Sequence, residues 1–147
     1  MEKKPTLLWS LILMIVLGLG FFLPASGQEK VKPEAAPGEM KPFTVVRFVV
    51  AKGVENKEPV DVAETFPVST EKVYCFLEAA GITMDTEVSF VWFHGQNEMR
   101  KITLPLGMGS RWRTYAYKNL VGLRGDWRVE IRDQGGKVLQ EAKFKVE

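Results

Sequence analysis

The 147-residue chain contains one cysteine and one histidine. With Cys75 alone, no internal disulfide can form, so the fold has to be held by its core. The neighbours of Cys75 in KVYCFLEAA are apolar. That setting suits a buried small hydrophobe, whereas a reactive thiolate needs an electropositive and accessible one. His94 has no second histidine to share a conventional metal site or a catalytic triad. It precedes Gly95 in an expected turn and reads as a solvated side chain. The ordered acidic spacing of a calcium loop is missing. Glu55, Glu58, Asp61 and Glu64 therefore read as a solvated loop. A glycine-rich phosphate loop is missing too, since GLGF lies in the apolar N-terminal segment and LGMGS follows a proline in a turn. No catalytic residue, metal or cofactor is expected, and the chain reads as a non-enzyme.

Charge of one sign is also scarce. The formal net charge is +2. Removing Glu2, Lys3 and Lys4 with the segment before Gln28 leaves 18 basic and 17 acidic residues. Nucleic-acid binding needs a concentrated positive footprint, and this balance excludes it. The distribution is uneven, with 4 basic and 9 acidic side chains in Phe43–Met99 against 11 and 5 in Arg100–Glu147. A sandwich mixes the two halves in space, so they are expected to neutralise each other.

The N-terminus supplies what the rest lacks, a long apolar run. Lys3 and Lys4 precede Leu7–Leu23, and Ala25 and Gly27 stand at the minus-three and minus-one places of a cut before Gln28. This is the pattern of a secretory signal peptide. The alternative is an uncleaved anchor, for which 17 residues is the short limit of a span. The expected organisation is residues 1–27 as signal peptide or membrane anchor, 28–41 as a flexible tether, and 42–147 as one folded domain. The expected location is the periplasm, either free or anchored to the inner membrane. Any membrane contact would run only through the N-terminal segment.

From Phe43 the pattern is β. FTVVRFVV is rich in β-branched and aromatic residues. AKGVENKEPVDVAETFPVST reads as a loop with one short edge strand, with Gly53 supplying a positive φ and Pro59 a rigid entry. VYCFL has strand composition. TEVSFVWFHG turns Val88, Phe90 and Trp92 one way and Ser89, Val91 and Phe93 the other. RKITLPL follows after the turn HGQNE, with Ile102, Leu104 and Leu106 inward. DWRVEIRD places Trp127, Val129 and Ile131 on one face. KVLQEAKFKVE returns with Ala142, Phe144 and Val146 inward, and a change of parity calls for a bulge near Gln140. The expected fold class is all-β, an antiparallel immunoglobulin-like β-sandwich of about seven strands.

The stretch SRWRTYAYK carries the candidate site. Alternation sends Trp112, Thr114 and Ala116 to one face, with Trp112 expected beside Trp127 in the core. Arg111, Arg113, Tyr115 and Tyr117 take the other, and Lys118 follows. The structural reading stacks guanidinium groups on rings across neighbouring strands. The functional reading makes the tyrosines a platform for sugar rings, while the arginines grip carboxylates or phosphates.

VVRFVVAKGVENKEPVD, VYCFLE, VWFHG, RWRTYAYKNL and GDWRVEIRDQGGKVLQEAKFKV occur in the order seen in the bacterial family domain of unknown function 2914 (DUF2914), which the chain resembles from Val45 to Val146. The resemblance implies a module carried after a signal sequence or membrane segment, and it implies no activity. Members often hold a histidine shortly before the Trp–aromatic pair, where this chain has SFVWF. Together the motifs point to a non-catalytic binding or protein-interaction module of the cell envelope. The alternative is a module for peptidoglycan or polysaccharide. Its partner would be an envelope protein or glycan, not nucleic acid.

Overall fold

The computed structural model describes residues 41–147. The expected signal or anchor, and the tether up to residue 40, lie outside the described residues. Nine strands are present: β1 (Thr44–Glu55), β2 (Glu58–Val62), β3 (Thr65–Phe66), β4 (Lys72–Ile82), β5 (Thr86–His94), β6 (Asn97–Leu106), β7 (Gly109–Asn119), β8 (Gly125–Arg132) and β9 (Val138–Val146). They form a four-stranded sheet, β2-β1-β4-β7, and a five-stranded sheet, β3-β9-β8-β5-β6. All pairs are antiparallel except β3 with β9. With β1, β4 and β7 in the places of A, B and E, and β5, β8 and β9 in those of C, F and G, the strand order is immunoglobulin-like. Trp92 on β5 is fully buried, at the strand where that fold keeps its core tryptophan.

The core follows from period-2 patterning. Val88, Phe90 and Trp92 of β5, Trp127, Val129 and Ile131 of β8, and Phe144 and Val146 of β9 meet Val73, Cys75 and Leu77 of β4. The Trp127 and Phe144 rings stack at 5.9 Å, and Trp92 meets Phe144 edge-on at 6.3 Å. The expected bulge is found. Ile131 faces Gln140 and Arg132 faces Val138, which leaves Leu139 unpaired.

Two expectations are corrected. The described residues hold nine strands where about seven are expected. The stretch expected as a loop with one short edge strand is a β-hairpin, in which β2 is that edge strand and β1 runs on to Glu55 beside it. Its turn is made by Asn56 and Lys57, both at positive φ (50° and 59°), the signs a two-residue hairpin turn of type I′ requires. Gly53 has no positive φ and takes an ordinary place opposite Val60. β1 leaves β4 at Ala51 and continues with β2 alone. Straight strand would put Glu55 roughly 26 Å from Arg47. Yet Glu58, paired with Glu55, reaches Arg47 at 2.8 Å. The hairpin therefore bends back over the outer face of its sheet. Phe76, on that outer face, is fully buried, with the Arg47 guanidinium 4.9 Å from its ring centroid.

Candidate binding surface

β7 is the edge of the four-stranded sheet, and its outward side chains sit opposite those of β4. Arg113 faces Glu78, Tyr115 faces Phe76 and Tyr117 faces Tyr74. The expected outward row is thus present, but it divides into two parts with different chemistry.

The arginine half is closed on itself. Glu78, almost fully buried, accepts a hydrogen bond from Arg47 at 2.8 Å and pairs with Arg111 at 3.0 Å and Arg113 at 3.6 Å. Glu58 on the hairpin pairs with Arg47 at 2.8 Å and Arg113 at 2.6 Å. Burial acts to raise the Glu78 carboxyl, but the Arg47 hydrogen bond and the charges of Arg113, Arg111 and Arg47 outweigh it and hold the group below the ordinary carboxylate range. The Glu58 hydrogen bond pushes the Arg47 guanidinium up against the opposing effect of burial. Arg113 thus clasps the hairpin through Glu58 and Arg111 is held by Glu78 of β4, so neither is a free grip for a ligand. For Arg111 and Arg113, pairing to carboxylate takes the place of the expected stacking on rings, which Arg47 over Phe76 and Arg100 over Tyr117 do show.

The tyrosine half is open. Tyr115 is 46% exposed and Tyr117 is 38% exposed. Both pack on Tyr74 of β4, with ring centroids 5.9 and 5.7 Å away and interplanar angles of 55° and 44°. Lys72 lies 5.1 Å from the Tyr117 ring and Arg100 of β6 lies 5.6 Å from it. Tyr74 was not foreseen. Its signal was the alternation of β4, which gives Tyr74, Phe76 and Glu78 one outward parity.

Lys118 has the opposite parity and leaves the row. Its Nζ donates to Asn119 O at 2.6 Å and sits 5.9 Å from the Trp127 ring. Burial and the charge of Arg100 lower its pKa. Trp112 also departs from expectation. It is 38% exposed and lies against Gly107, where an added Cβ would stand 2.7 Å from the indole. Trp112 stands opposite the buried Ala79 but on the edge strand of its sheet, where inward parity alone does not bury it. Phe93 is buried on the outer face of the other sheet beneath Arg128, whose guanidinium is 3.9 Å from its ring centroid, and it contributes nothing to the tyrosine surface.

His94 is not simply solvated. Its Nε2 is 2.8 Å from Arg124 O, and its ring packs on Trp127 at 4.7 Å. Cys75 is fully buried, and burial pushes its thiol pKa well up. Among the described residues, no group of three or more His, Cys, Asp and Glu could hold a metal ion. None of these residues forms a helix long and apolar enough to cross a membrane. Hollows of about 490 and 530 Å³ lie along β1 and β9 and beside Trp127, and neither is lined by a residue of SRWRTYAYK.

Residues 85–146 match the family model of DUF2914, a protein of unknown function. This is the family that the sequence motifs resemble. The DUF2914 match covers β5 to β9 and includes RWRTYAYK and GDWRVEIRD. β1 to β4, with the hairpin, lie outside it, so the match is narrower than the resemblance from Val45. No curated protein matches the chain.

Among solved structures, an immunoglobulin-like protein from Pseudomonas aeruginosa has 13% identity and a TM-score of 0.49 over 75% of this chain and all of its own. A β-glucosidase from Erythrobacter marinus has 6% identity and a TM-score of 0.49 over 71% of this chain and 15% of its own. A β-glucosidase from Listeria innocua has 7% identity and a TM-score of 0.46 over 71% of this chain and 16% of its own. The architecture rests on the strand pairing of the chain itself.

Proposed function

We propose that the chain is a non-catalytic binding module of the bacterial cell envelope, exported through residues 1–27, and that its contact surface is the outer face of β4 and β7 around Tyr115. The observation that carries this reading is the contrast along β7. The arginines are consumed by Glu58 and Glu78, while Tyr115 and Tyr117 stay open to solvent around Tyr74. Exposed, mutually packed aromatics are costly to leave in water and are enriched where partners bind. The non-catalytic part of the reading is supported by the occupations of His94 and Cys75, the first bonded and stacked, the second sealed in the core.

The test is photo-crosslinking in cells, with the probe residue at Tyr115. A discrete adduct that vanishes when Tyr117 is replaced by alanine is expected. A folded, exported protein that gives no adduct would remove this face from consideration. The glycan reading is favoured by one observation, the exposed rings of Tyr115 and Tyr117 on either side of Tyr74.

A further inference from the structure

Most cations on the two outer faces are matched. Arg47, Arg111 and Arg113 share Glu58 and Glu78, and Arg128 and Arg132 share Glu130. Lys143 pairs with Glu141 and Lys145 with Glu147. Among the described cations without an ion pair, one group is set apart because its members converge. Lys72 from β4 and Arg100 from β6 both lie over Tyr117, and Lys118 stands next to it within range of the Arg100 charge. None of the three makes an ion pair among the described residues. Three like charges converge where the edges of the two sheets meet, and nothing within the described fold neutralises them. Such an arrangement is destabilising to the fold and is expected where a ligand supplies the missing charge.

We infer that this corner is a binding site for an anionic saccharide, with Lys72 and Arg100 taking its carboxylate or phosphate group and the Tyr115 ring, backed by Tyr74, taking a sugar face. The inference rests on the binding-module reading above and specifies its ligand. The division of labour follows from the geometry. The Tyr117 ring already carries two cations, so it anchors charge. Tyr115, exposed and packed at 5.9 Å and 55° on the half-buried Tyr74, offers its apolar ring beside that anchor. An acidic peptide would satisfy the cations but would leave the Tyr115 ring without a use.

The experiment measures binding of the full chain to oligogalacturonate, phosphomannan, neutral dextran and poly-L-glutamate. Oligogalacturonate or phosphomannan is expected to bind at least about tenfold more tightly than dextran or polyglutamate, and whichever binds identifies the anion. Lys72→Gln with Arg100→Gln should weaken it about tenfold or more. Lys52→Gln with Lys143→Gln, which removes the same charge elsewhere, should leave it unchanged. Thermal unfolding of both doubles shows whether they fold; if the first double does not, Arg100→Gln alone replaces it.

Equal binding of dextran, equal binding of polyglutamate, full affinity in the folded variant, or no binding to any probe would each overturn the inference. A discrete protein adduct at Tyr115 without saccharide binding overturns it too, yet leaves the binding-module reading standing. Loss of both adduct and binding removes both.

Discussion

Nη2 of Arg47 lies 2.8 Å from Glu58 and 2.8 Å from Glu78, so a single guanidinium nitrogen joins the hairpin to the centre of the sheet. The same two carboxylates hold Arg113 from the opposite side. This arrangement turns what reads as a surface loop into a fixed cover over Phe76.

Replacing Glu78 with glutamine should therefore be more damaging than replacing Glu58. Glu78 is the buried member, and its loss leaves Arg47, Arg111 and Arg113 crowded around a neutral group. The midpoint of thermal unfolding is expected to fall by several degrees for Glu78→Gln and by less for Glu58→Gln. Equal midpoints for both variants and the parent would show that the hairpin is held by other means.

The pH dependence has a definite sign. The folded pKa of Glu78 lies below its ordinary value of 4.5, so its ionised form is favoured by folding. That stabilisation is complete above the ordinary value and is lost as pH falls through the lower folded value. Unfolding midpoints measured from pH 6 downward should drop in the parent protein. Glu78→Gln should show a shallower drop over the same interval, because it has no proton to gain.

Lys118→Gln should leave the fold as stable as before or slightly more so. Burial and Arg100 both disfavour the Lys118 charge, so neutralising it relieves repulsion. The outcome to compare is the denaturation midpoint. A loss of several degrees would mean that the Nζ bond to Asn119 O matters more than the crowding of charge.

Lys57→Gly should stabilise the domain by about 1 kcal/mol, because a side chain in the left-handed region costs about that much and glycine bears no such cost. Lys57 holds φ 59° in the turn that follows β1. Urea unfolding measures the change. A destabilised variant would show that the Lys57 side chain, which lines a hollow with Arg111, Trp112 and Arg113, contributes more than the strain.

Cys75 should resist thiol reagents in the native state. It is fully buried and its pKa is raised, so neither access nor thiolate is at hand. Labelling is expected only at the rate of unfolding. Rapid labelling at neutral pH without denaturant would show that β4 opens locally.

Much of the fold is readable from the sequence wherever one face of a strand is buried and the other is wet. DWRVEIRD and KVLQEAKFKVE show this, down to the bulge at Leu139. The same logic fails in three places, each for a physical reason. The hairpin turn uses Asn56 and Lys57, and without a glycine at either position its positive φ angles leave a weak local signal. Trp112 keeps the inward parity but lies on the edge strand of its sheet, so parity alone could not bury it. The split of SRWRTYAYK into a clasp and an open surface depends on Glu58, Glu78 and Tyr74, which come from distant segments. Alternation gives the facing of a residue on its own strand and leaves unstated what crosses over it.

The short parallel pairing of β3 with β9 has a mechanical consequence. Lys145 N–H donates to Glu64 O at 2.8 Å, Glu147 N–H to Phe66 O at 3.0 Å, and Val68 N–H to Glu147 O at 2.6 Å. Because the two strands run the same way, tension between the start of β3 and the end of β9 pulls them along their length in opposite directions. These bonds are then loaded together in shear instead of being unzipped one after another. A domain stretched through this pair would yield abruptly at one force, keeping its tyrosine surface intact until then.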